Sequence, residues 1–320
     1  MPSSHGIDGE ANESVSATGA EAASLRTARV AFIALLVGAL CIAFAPIFVR
    51  LSELAPTATA FHRMLLALPL FGLWALVEKP GDAAAGLRHW PRRQRTWLVL
   101  SGLFFAADLA CWHWSIAYTS VANATLLANG APVFVTIAAW LLFGERITLR
   151  FLFAMALALS GAALLVRVSF DFGGTHPLGD VLGIVTAMFY AAYIISIKAL
   201  RRTMSTAVLM SYSGAISALA LCGLAVVAGE SLWPATLRGW SILFLLAWVS
   251  QGAGQGLIAY GLAHLPASFS SVSLLLQPAA AAALAWMILG EALSGWQALG
   301  GAAVLLGVWL ARRATRAGRA

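Results

Sequence analysis

The stretch APVFVTIAAWLLFGERI, residues 131–147, decides the fold because a second copy of it occurs later in the chain. Shifted by 146 residues, it falls without a gap on QPAAAAALAWMILGEAL, residues 277–293. The matching positions are Pro132 and Pro278, Ala139 and Ala285, Trp140 and Trp286, Gly144 and Gly290, and Glu145 and Glu291. Self-similarity at a constant shift indicates an internal repeat, so the chain consists of two related halves.

Long apolar runs dominate both halves. Hydrophobic residues make up 61% of the 320 positions, charged residues 10%, and the mean hydropathy is +0.85. A soluble domain carries about 25% charged residues, so most of this chain's surface must face lipid. Because the runs are continuous and do not alternate in polarity, they predict transmembrane helices and not a barrel. Ten runs fall at about residues 30–49, 57–77, 97–118, 122–143, 149–166, 179–198, 206–228, 240–262, 268–289 and 295–311.

The predicted fold class is an all-α membrane protein with ten transmembrane helices arranged as two inverted five-helix repeats. Five is an odd number, so the second half enters the membrane from the opposite side. The repeats are assigned to residues 29–167 and 178–312, between a disordered cytoplasmic tail at 1–28 and a basic cytoplasmic tail at 313–320. Inverted repeats are typical of secondary transporters, whose substrate site lies near the bilayer midplane. A duplication kept only for stability is the alternative.

The net charge of +7 indicates an orientation in the membrane and not nucleic-acid binding. If the amino-terminal tail is cytoplasmic, 16 of the 20 Lys and Arg residues fall on the cytoplasmic side, three fall outside, and Arg63 lies within a span. The positive-inside rule therefore predicts that both termini are cytoplasmic. Residues 1–28 contain no apolar stretch, so they do not read as a signal peptide.

These features resemble a known family. The two five-span halves, the Pro…Trp…Gly-Glu ending of each, and SIAYTSVANATLLANGAPVFV (residues 115–135) are similar to the EamA-type proteins of the drug/metabolite transporter superfamily. The resemblance covers about residues 30–312. It implies a bacterial inner-membrane carrier, working by alternating access, that exports amino acids or related small metabolites. Uptake of a vitamin-like compound such as riboflavin is the alternative, because some relatives are importers.

The stretch DLACWHWSIAYTS, residues 108–120, places ionisable and aromatic residues inside the third span. Asp108 lies near mid-membrane, Trp112 shares its helix face, and His113 is about a turn further on. An ionisable group at this depth costs at least ~2.5 kcal/mol, so it is expected to face a cavity or a partner. Arg63 in the second span is close enough in depth to bridge to Asp108. The pair is either structural or also open to substrate and protons.

The second half offers mainly uncharged polar groups. Tyr190, Gln251 and Gln277 lie within its spans, while Asn129 approaches the midplane from the first half. Charge from one half and hydrogen bonds from the other favour a small zwitterion or a planar ring as the ligand. The predicted substrate-binding residues are Arg63, Asp108, Trp112, His113, Asn129, Tyr190, Gln251 and Gln277. Asp108 and His62 are the candidate proton carriers, although His62 and His113 are equally well read as buried, hydrogen-bonded histidines.

The repeated motif itself suggests two structural roles. Pro132 and Pro278 lie near mid-span and predict helix kinks, which would free the carbonyls of Ala128 and Leu274. Such kinks serve either gating and substrate contact or plain packing. Glu145 and Glu291 fall at opposite membrane faces, so they cannot build one site; each is expected to fix the turn into the next span.

Enzyme motifs are absent from the sequence: it contains no HExxH, GxSxG, Walker A loop or Cys–His metal spacing. No catalytic residue, metal or cofactor is therefore predicted. An intramembrane enzyme using Asp108 and His113 is a minor alternative. The expected partners are a small-molecule substrate and the lipid bilayer, with a homodimer as an open question and no nucleic acid.

Overall fold

The computed structural model describes residues 26–78, 90–118, 121–167, 177–289 and 294–317, and all regular structure within these ranges is helical. The helices are α1 (Arg26–Val49), α2 (Pro56–Glu78), α3 (Arg92–Tyr118), α4 (Val121–Ala128 and Ala131–Phe143), α5 (Leu149–Arg167), α6 (Pro177–Leu200), α7 (Thr206–Val227), α8 (Leu237–His264), α9 (Ala267–Ser273 and Leu276–Leu289) and α10 (Gly295–Ala317). The predicted tails lie mostly outside the described residues, but α1 already begins at Arg26 and α10 continues to Ala317.

The helices are long and apolar, as the sequence predicts. Eight of those described have the length and composition to cross a membrane. The apolar part of α5, Leu149–Leu165, is shorter, and α10 is not among the eight. Many large apolar side chains are exposed on the bundle surface, for example Leu149 at 84% and Val77 at 83%. An apolar surface of this extent on helices of membrane-spanning length indicates contact with lipid, so the protein is a multi-pass helical membrane protein.

The prolines of the repeated motif coincide with interruptions in their helices. In α4 a turn at Asn129–Gly130 precedes Pro132, and in α9 a turn at Leu274–Leu275 precedes Pro278. Proline has no N–H and clashes with the preceding turn. The expectation that Pro278 frees the Leu274 carbonyl is wrong, because this carbonyl accepts a hydrogen bond from the Gln277 amide at 2.9 Å. The chain tightens into a three-residue turn and keeps the group satisfied.

The middle of α8 is a π-helix, Leu246–Gln255. Its glycines allow backbone-to-backbone contact with neighbouring helices: a methyl group at Gly254 would lie 2.6 Å from Ile42 Cγ1, and one at Gly38 would lie 2.8 Å from the Gly254 carbonyl oxygen. α1 and α8 therefore cross with almost no space between them. Wide π-type turns are frequently found at functional sites, and the sequence pattern did not predict this one.

α5 packs along the length of α10 through small residues. A methyl group at Gly161 would lie 2.6 Å from the Gly300 carbonyl oxygen, and one at Gly307 would lie 2.8 Å from the Ala154 carbonyl oxygen. The 146-residue shift of the internal repeat relates α5 to α10: Gly161 corresponds to Gly307, and Ala154 corresponds to Gly300. The two contacts therefore join equivalent positions, with the roles of α5 and α10 exchanged.

Carboxylates from one half cap helix amino termini of the other half at both ends of the bundle. The Glu78 carboxylate accepts the amides of Thr206 and Ala207 at 3.2 and 2.9 Å, and the Glu230 carboxylate accepts the Ala58 amide at 2.6 Å. The first amides of a helix lack partners within it and carry a partial positive charge, so a carboxylate stabilises them. α2 and α7 thus cap each other.

Glu145 makes the same kind of contact. The Glu145 carboxylate accepts the amides of Ala267 and Ser268 at 2.7 and 3.2 Å, together with the Ser268 hydroxyl. Glu145 therefore caps α9 of the other half and does not fix the turn into α5, which corrects the expected role; Gly144 makes that turn in the left-handed conformation (φ 65°). Glu291 lies outside the described residues.

At the opposite end of the bundle, the Glu53 carboxylate accepts the amides of Ala235 and Thr236 at 3.1 and 3.2 Å and the Thr236 hydroxyl. The bond from the Thr236 hydroxyl is the main reason why the pKa of Glu53 is lowered from its ordinary value. Below, the end of the bundle that carries Glu78 and Glu145 is called the Glu145 end, and the end that carries Glu53 and Glu230 is called the Glu53 end.

Candidate functional site

A cavity of about 170 Å³ lies between the two halves of the chain. The first half contributes Arg63, Asp108 and Asn129 to its wall, and the second half contributes Tyr190, Gln255 and Gln277. The aromatic rings of Phe105 and Trp112 complete this polar surface. The cavity extends toward the Glu53 end, where the exposed Pro46 also lines it.

Arg63 is held in place by a glutamine from the other half. Its Nε–H donates to Gln251 Oε1 at 3.0 Å, and its guanidinium lies 6.0 Å from the centre of the Phe105 ring. Gln251 is fully buried and is not part of the cavity wall, although it was predicted to contact the substrate. It lies behind Arg63 and orients it. The guanidinium has five N–H donors, so the remaining ones stay available to the cavity.

Asp108 does not form the predicted bridge to Arg63. Both side chains line the cavity, but no nitrogen–oxygen distance of 4.0 Å or less joins them in the described part of the chain. The hydrogen bond to Gln251 draws the guanidinium toward α8, which explains the difference. The cavity therefore holds one guanidinium and one carboxyl group that make no direct contact with each other.

Uncharged polar groups surround these charges. The Tyr190 side chain lines the same wall as Gln255 and Gln277, and the buried Asn129 Nδ2 has no partner among the described residues. A smaller cavity of about 30 Å³, which shares Asn129, Tyr190 and Gln277 with the first, extends along α4 and α9 as far as Ser271. Polar groups thus continue from the main cavity toward the Glu145 end.

Neither histidine lines the cavity. The Nδ1 of His113 donates to the Leu109 carbonyl at 2.6 Å, and the Nδ1 of His62 donates to the Ala58 carbonyl at 3.0 Å. Both side chains are buried, and the His62 ring packs edge-on against Trp240. Neighbouring residues on a helix point about 100° apart, so His62 faces away when Arg63 faces inward. The geometry favours the interpretation as buried, hydrogen-bonded histidines.

Three polar or aromatic residues of the wall, Gln255, Thr186 and Phe105, were not among the predicted substrate-binding residues. Gln255 follows Gln251 by four residues, yet only Gln255 reaches the cavity from the π-helical segment. Thr186 and Phe105 also line the wall. The position of Thr186 four residues before Tyr190 places both on one face of α6, which is the signal that could have identified it. Phe105 carries no sequence signal beyond being apolar.

The amino-acid sequence matches the model of the EamA-like transporter family twice, over residues 29–167 and 177–313. It is 27% identical over 176 residues to the pseudopaline exporter CntI of Pseudomonas aeruginosa, which covers 55% of this chain and 60% of that protein. It is also 28% identical over 272 residues to a transporter of Archaeoglobus fulgidus, with coverage of 82% and 91%. A crystal structure that is 18% identical shares the fold, with a TM-score of 0.73 and coverage of 91% and 99%.

Proposed function

The chain belongs to the EamA-like transporter family of the drug/metabolite transporter superfamily, and from this premise we propose that it exports amino acids or related small metabolites across the bacterial inner membrane by alternating access. The family match extends over most of both halves, and the relative from Pseudomonas aeruginosa is named as an exporter. The protein is a membrane transporter of a small molecule. The proposal adds the substrate class, the direction and the site.

The separated charges of Arg63 and Asp108 carry the substrate assignment. A buried charge is costly unless it is paired, and a zwitterion brings both missing partners into the cavity at once. Its carboxylate would bind the free donors of Arg63 and Asn129, and its ammonium group would bind Asp108. The Tyr190 hydroxyl and the side-chain oxygens of Gln255 and Gln277 supply further acceptors.

The size of the cavity distinguishes the two substrate classes. Three aromatic rings, of Phe105, Trp112 and Tyr190, line it and are compatible with a planar ring compound. However, a volume of about 170 Å³ is below the ~300–1,000 Å³ typical of pockets for drug-sized ligands. A small amino acid therefore suits the cavity better than a flavin, and uptake of a vitamin-like compound remains the second candidate.

The proposed architecture is ten transmembrane helices in two inverted repeats, residues 29–167 and 178–312, with both termini in the cytoplasm. The two α5–α10 contacts that are related by the 146-residue shift support the repeat. So does the mutual capping of α2 and α7 by Glu78 and Glu230. In this orientation, which rests on the distribution of Lys and Arg, the Glu145 end is cytoplasmic.

Alternating access requires that the cavity open to one side at a time. The cavity extends toward the Glu53 end, whereas Glu145 joins α4 to α9 at the other end. Opening the Glu145 end would separate these helices and break those hydrogen bonds. The turns before Pro132 and Pro278 lie on α4 and α9 next to the cavity, so they are the proposed bending points of the movement.

Asp108 is the proposed proton carrier, since it lines the cavity and His62 does not. A carboxyl group that binds the substrate ammonium when ionised, and releases it when protonated, would couple export to proton entry. A role in structure alone is the alternative.

The test is transport by purified protein in proteoliposomes, with and without an imposed pH gradient, using a panel of radiolabelled amino acids and riboflavin. We expect an amino acid to move, with Asp108→Asn abolishing the response to the gradient and Trp112→Ala impairing transport. Trp114→Ala is the matched control, because this neighbouring tryptophan is 48% exposed and lies outside the cavity. Movement of riboflavin alone, or equal loss in both tryptophan variants, would reject the proposed substrate or site.

A further inference from the structure

A second pocket, of about 350 Å³, opens at the Glu145 end. It lies where the α4–α5 connection meets the end of α6, the start of α9 and the end of α10, and it shares no lining residue with the central cavity. Three cationic residues line it, namely Arg146, Lys198 and Arg202, against one carboxylate, Glu145. We call it the basic pocket.

Two charged groups of the basic pocket, Glu145 and Lys198, are already engaged by other groups. The Glu145 carboxylate is already engaged by the amides of Ala267 and Ser268. Lys198 is fixed by hydrogen bonds to the carbonyls of Leu262 and Leu265 at 2.8 and 2.5 Å.

The two arginines lack a carboxylate partner. Arg202 stacks on the Phe143 ring at 5.3 Å, and in the described parts of the chain neither Arg146 nor Arg202 has a carboxylate within ion-pairing distance. The pocket therefore presents two guanidinium groups to an anion. Guanidinium groups bind phosphate in a bidentate manner, with more geometric specificity than an ammonium group.

The surroundings of the pocket indicate where the anion comes from. Phe143 and Thr148 line the pocket, and the residues beside them in sequence, Leu142 and Leu149, are 61% and 84% exposed. In a membrane protein such leucines face acyl chains. An anionic group bound at the end of a helix bundle, beside lipid-facing leucines, has the chemistry of a phospholipid headgroup with its chains attached.

We propose that the basic pocket binds the headgroup of an anionic phospholipid, with its phosphate between Arg146 and Arg202 and its acyl chains against Leu142 and Leu149. Glu145 and Ser268, which line the pocket, also form the contact between α4 and α9. A headgroup bound between Arg146 and Arg202 joins the end of α4 to the end of α6, directly beside the α4–α9 contact that must part when the Glu145 end opens. The lipid stabilises the conformation closed at this end, independently of which substrate is carried.

The test is native mass spectrometry of the full chain released from nanodiscs that contain equal amounts of phosphatidylglycerol and phosphatidylcholine. We expect one phosphatidylglycerol molecule to be retained preferentially. In the double variant Arg146→Gln/Arg202→Gln, the association constant of this lipid should fall roughly five-fold for each arginine removed. The matched control is Arg92→Gln/Arg93→Gln. It removes two exposed charges from the start of α3, at the same membrane end but outside the pocket. Equal retention in the two double variants would overturn the proposal.

Two further measurements separate the remaining explanations. Thermal unfolding in phosphatidylcholine nanodiscs shows whether the variant is folded, and if the double variant is not, Arg202→Gln alone is compared with Arg92→Gln. Inorganic phosphate is then added at millimolar concentration to nanodiscs of phosphatidylcholine only. The lipid assignment predicts no stabilisation by phosphate, and the same rise in melting temperature as that produced by phosphatidylglycerol would show that the ligand is a soluble anion.

Discussion

Arg63 and Gln251, which are 188 positions apart, form a buried hydrogen bond between α2 and α8, with 3.0 Å between Nε and Oε1. This contact joins the two halves of the chain at the wall of the central cavity. It also orients Arg63, which is the only charged residue of α2 in that wall among the described residues. Because the glutamine lies in the π-helical segment, the local geometry of α8 and the position of the arginine depend on each other.

Gln251→Leu is expected to destabilise the protein and to impair transport, whereas Gln255→Leu impairs transport only. The first substitution leaves a buried charged donor without its acceptor, which costs about 1–3 kcal/mol. The second removes a cavity group, and the hydrogen bond to Arg63 is retained. Thermal unfolding and uptake into proteoliposomes are measured on both variants. Equal stability of the two would contradict the proposed difference between the glutamines.

Arg63→Gln and Asp108→Asn are each expected to impair transport strongly, with the double variant no worse than the poorer single variant. Each single change leaves one uncompensated charge in the cavity, and the double change restores neutrality. Residues that interact in this way give non-additive effects. Initial rates of transport at saturating substrate provide the measurement. Losses that simply add, or full activity of either single variant, would argue that the two charges act separately.

Protein stability is expected to depend on pH through Glu53. Its folded-state pKa is lowered, first by the hydrogen bond from the Thr236 hydroxyl. The contribution of ionised Glu53 to the free energy of unfolding is therefore complete above the ordinary glutamate pKa of about 4.3. It disappears as the pH falls through the lowered folded-state pKa. The melting temperature of Glu53→Gln should lie below that of the wild type at pH 7, and the difference should vanish in acid. Thr236→Ala should shift this loss to higher pH, and an unchanged profile in both variants would refute the assignment.

Gly161→Ala is expected to weaken the α5–α10 contact. The added methyl group would lie 2.6 Å from the Gly300 carbonyl oxygen, which forces the helices apart. Overpacking of this kind typically costs about 1–3 kcal/mol. Gly223→Ala on α7 is the matched control, because a methyl group there meets no atom within 4 Å, and alanine is the better helix former. Thermal unfolding should show a loss for the first variant and no loss for the second; the reverse order would contradict the described crossing.

Several features of the protein followed from the order of residues alone. The apolar runs predicted membrane helices because backbone groups in lipid must be satisfied within the helix. The duplicated motif separated the chain into two related halves. Asp108, Arg63 and Asn129 were selected because polar groups are costly within a span, and all three line the same cavity.

The partners of these residues were decided only when the helices packed. Periodicity gives the face of a helix on which a residue lies, but not how the helix is rotated toward helices far away in sequence. That rotation is set by close crossings such as Gly38 on Gly254, and by the wide turn of α8. For this reason Gln251 meets Arg63 and not the substrate cavity, and both histidines face away from it. For the same reason Glu145 caps a helix of the opposite half, since a free helix amino terminus attracts whichever carboxylate the packing brings to it.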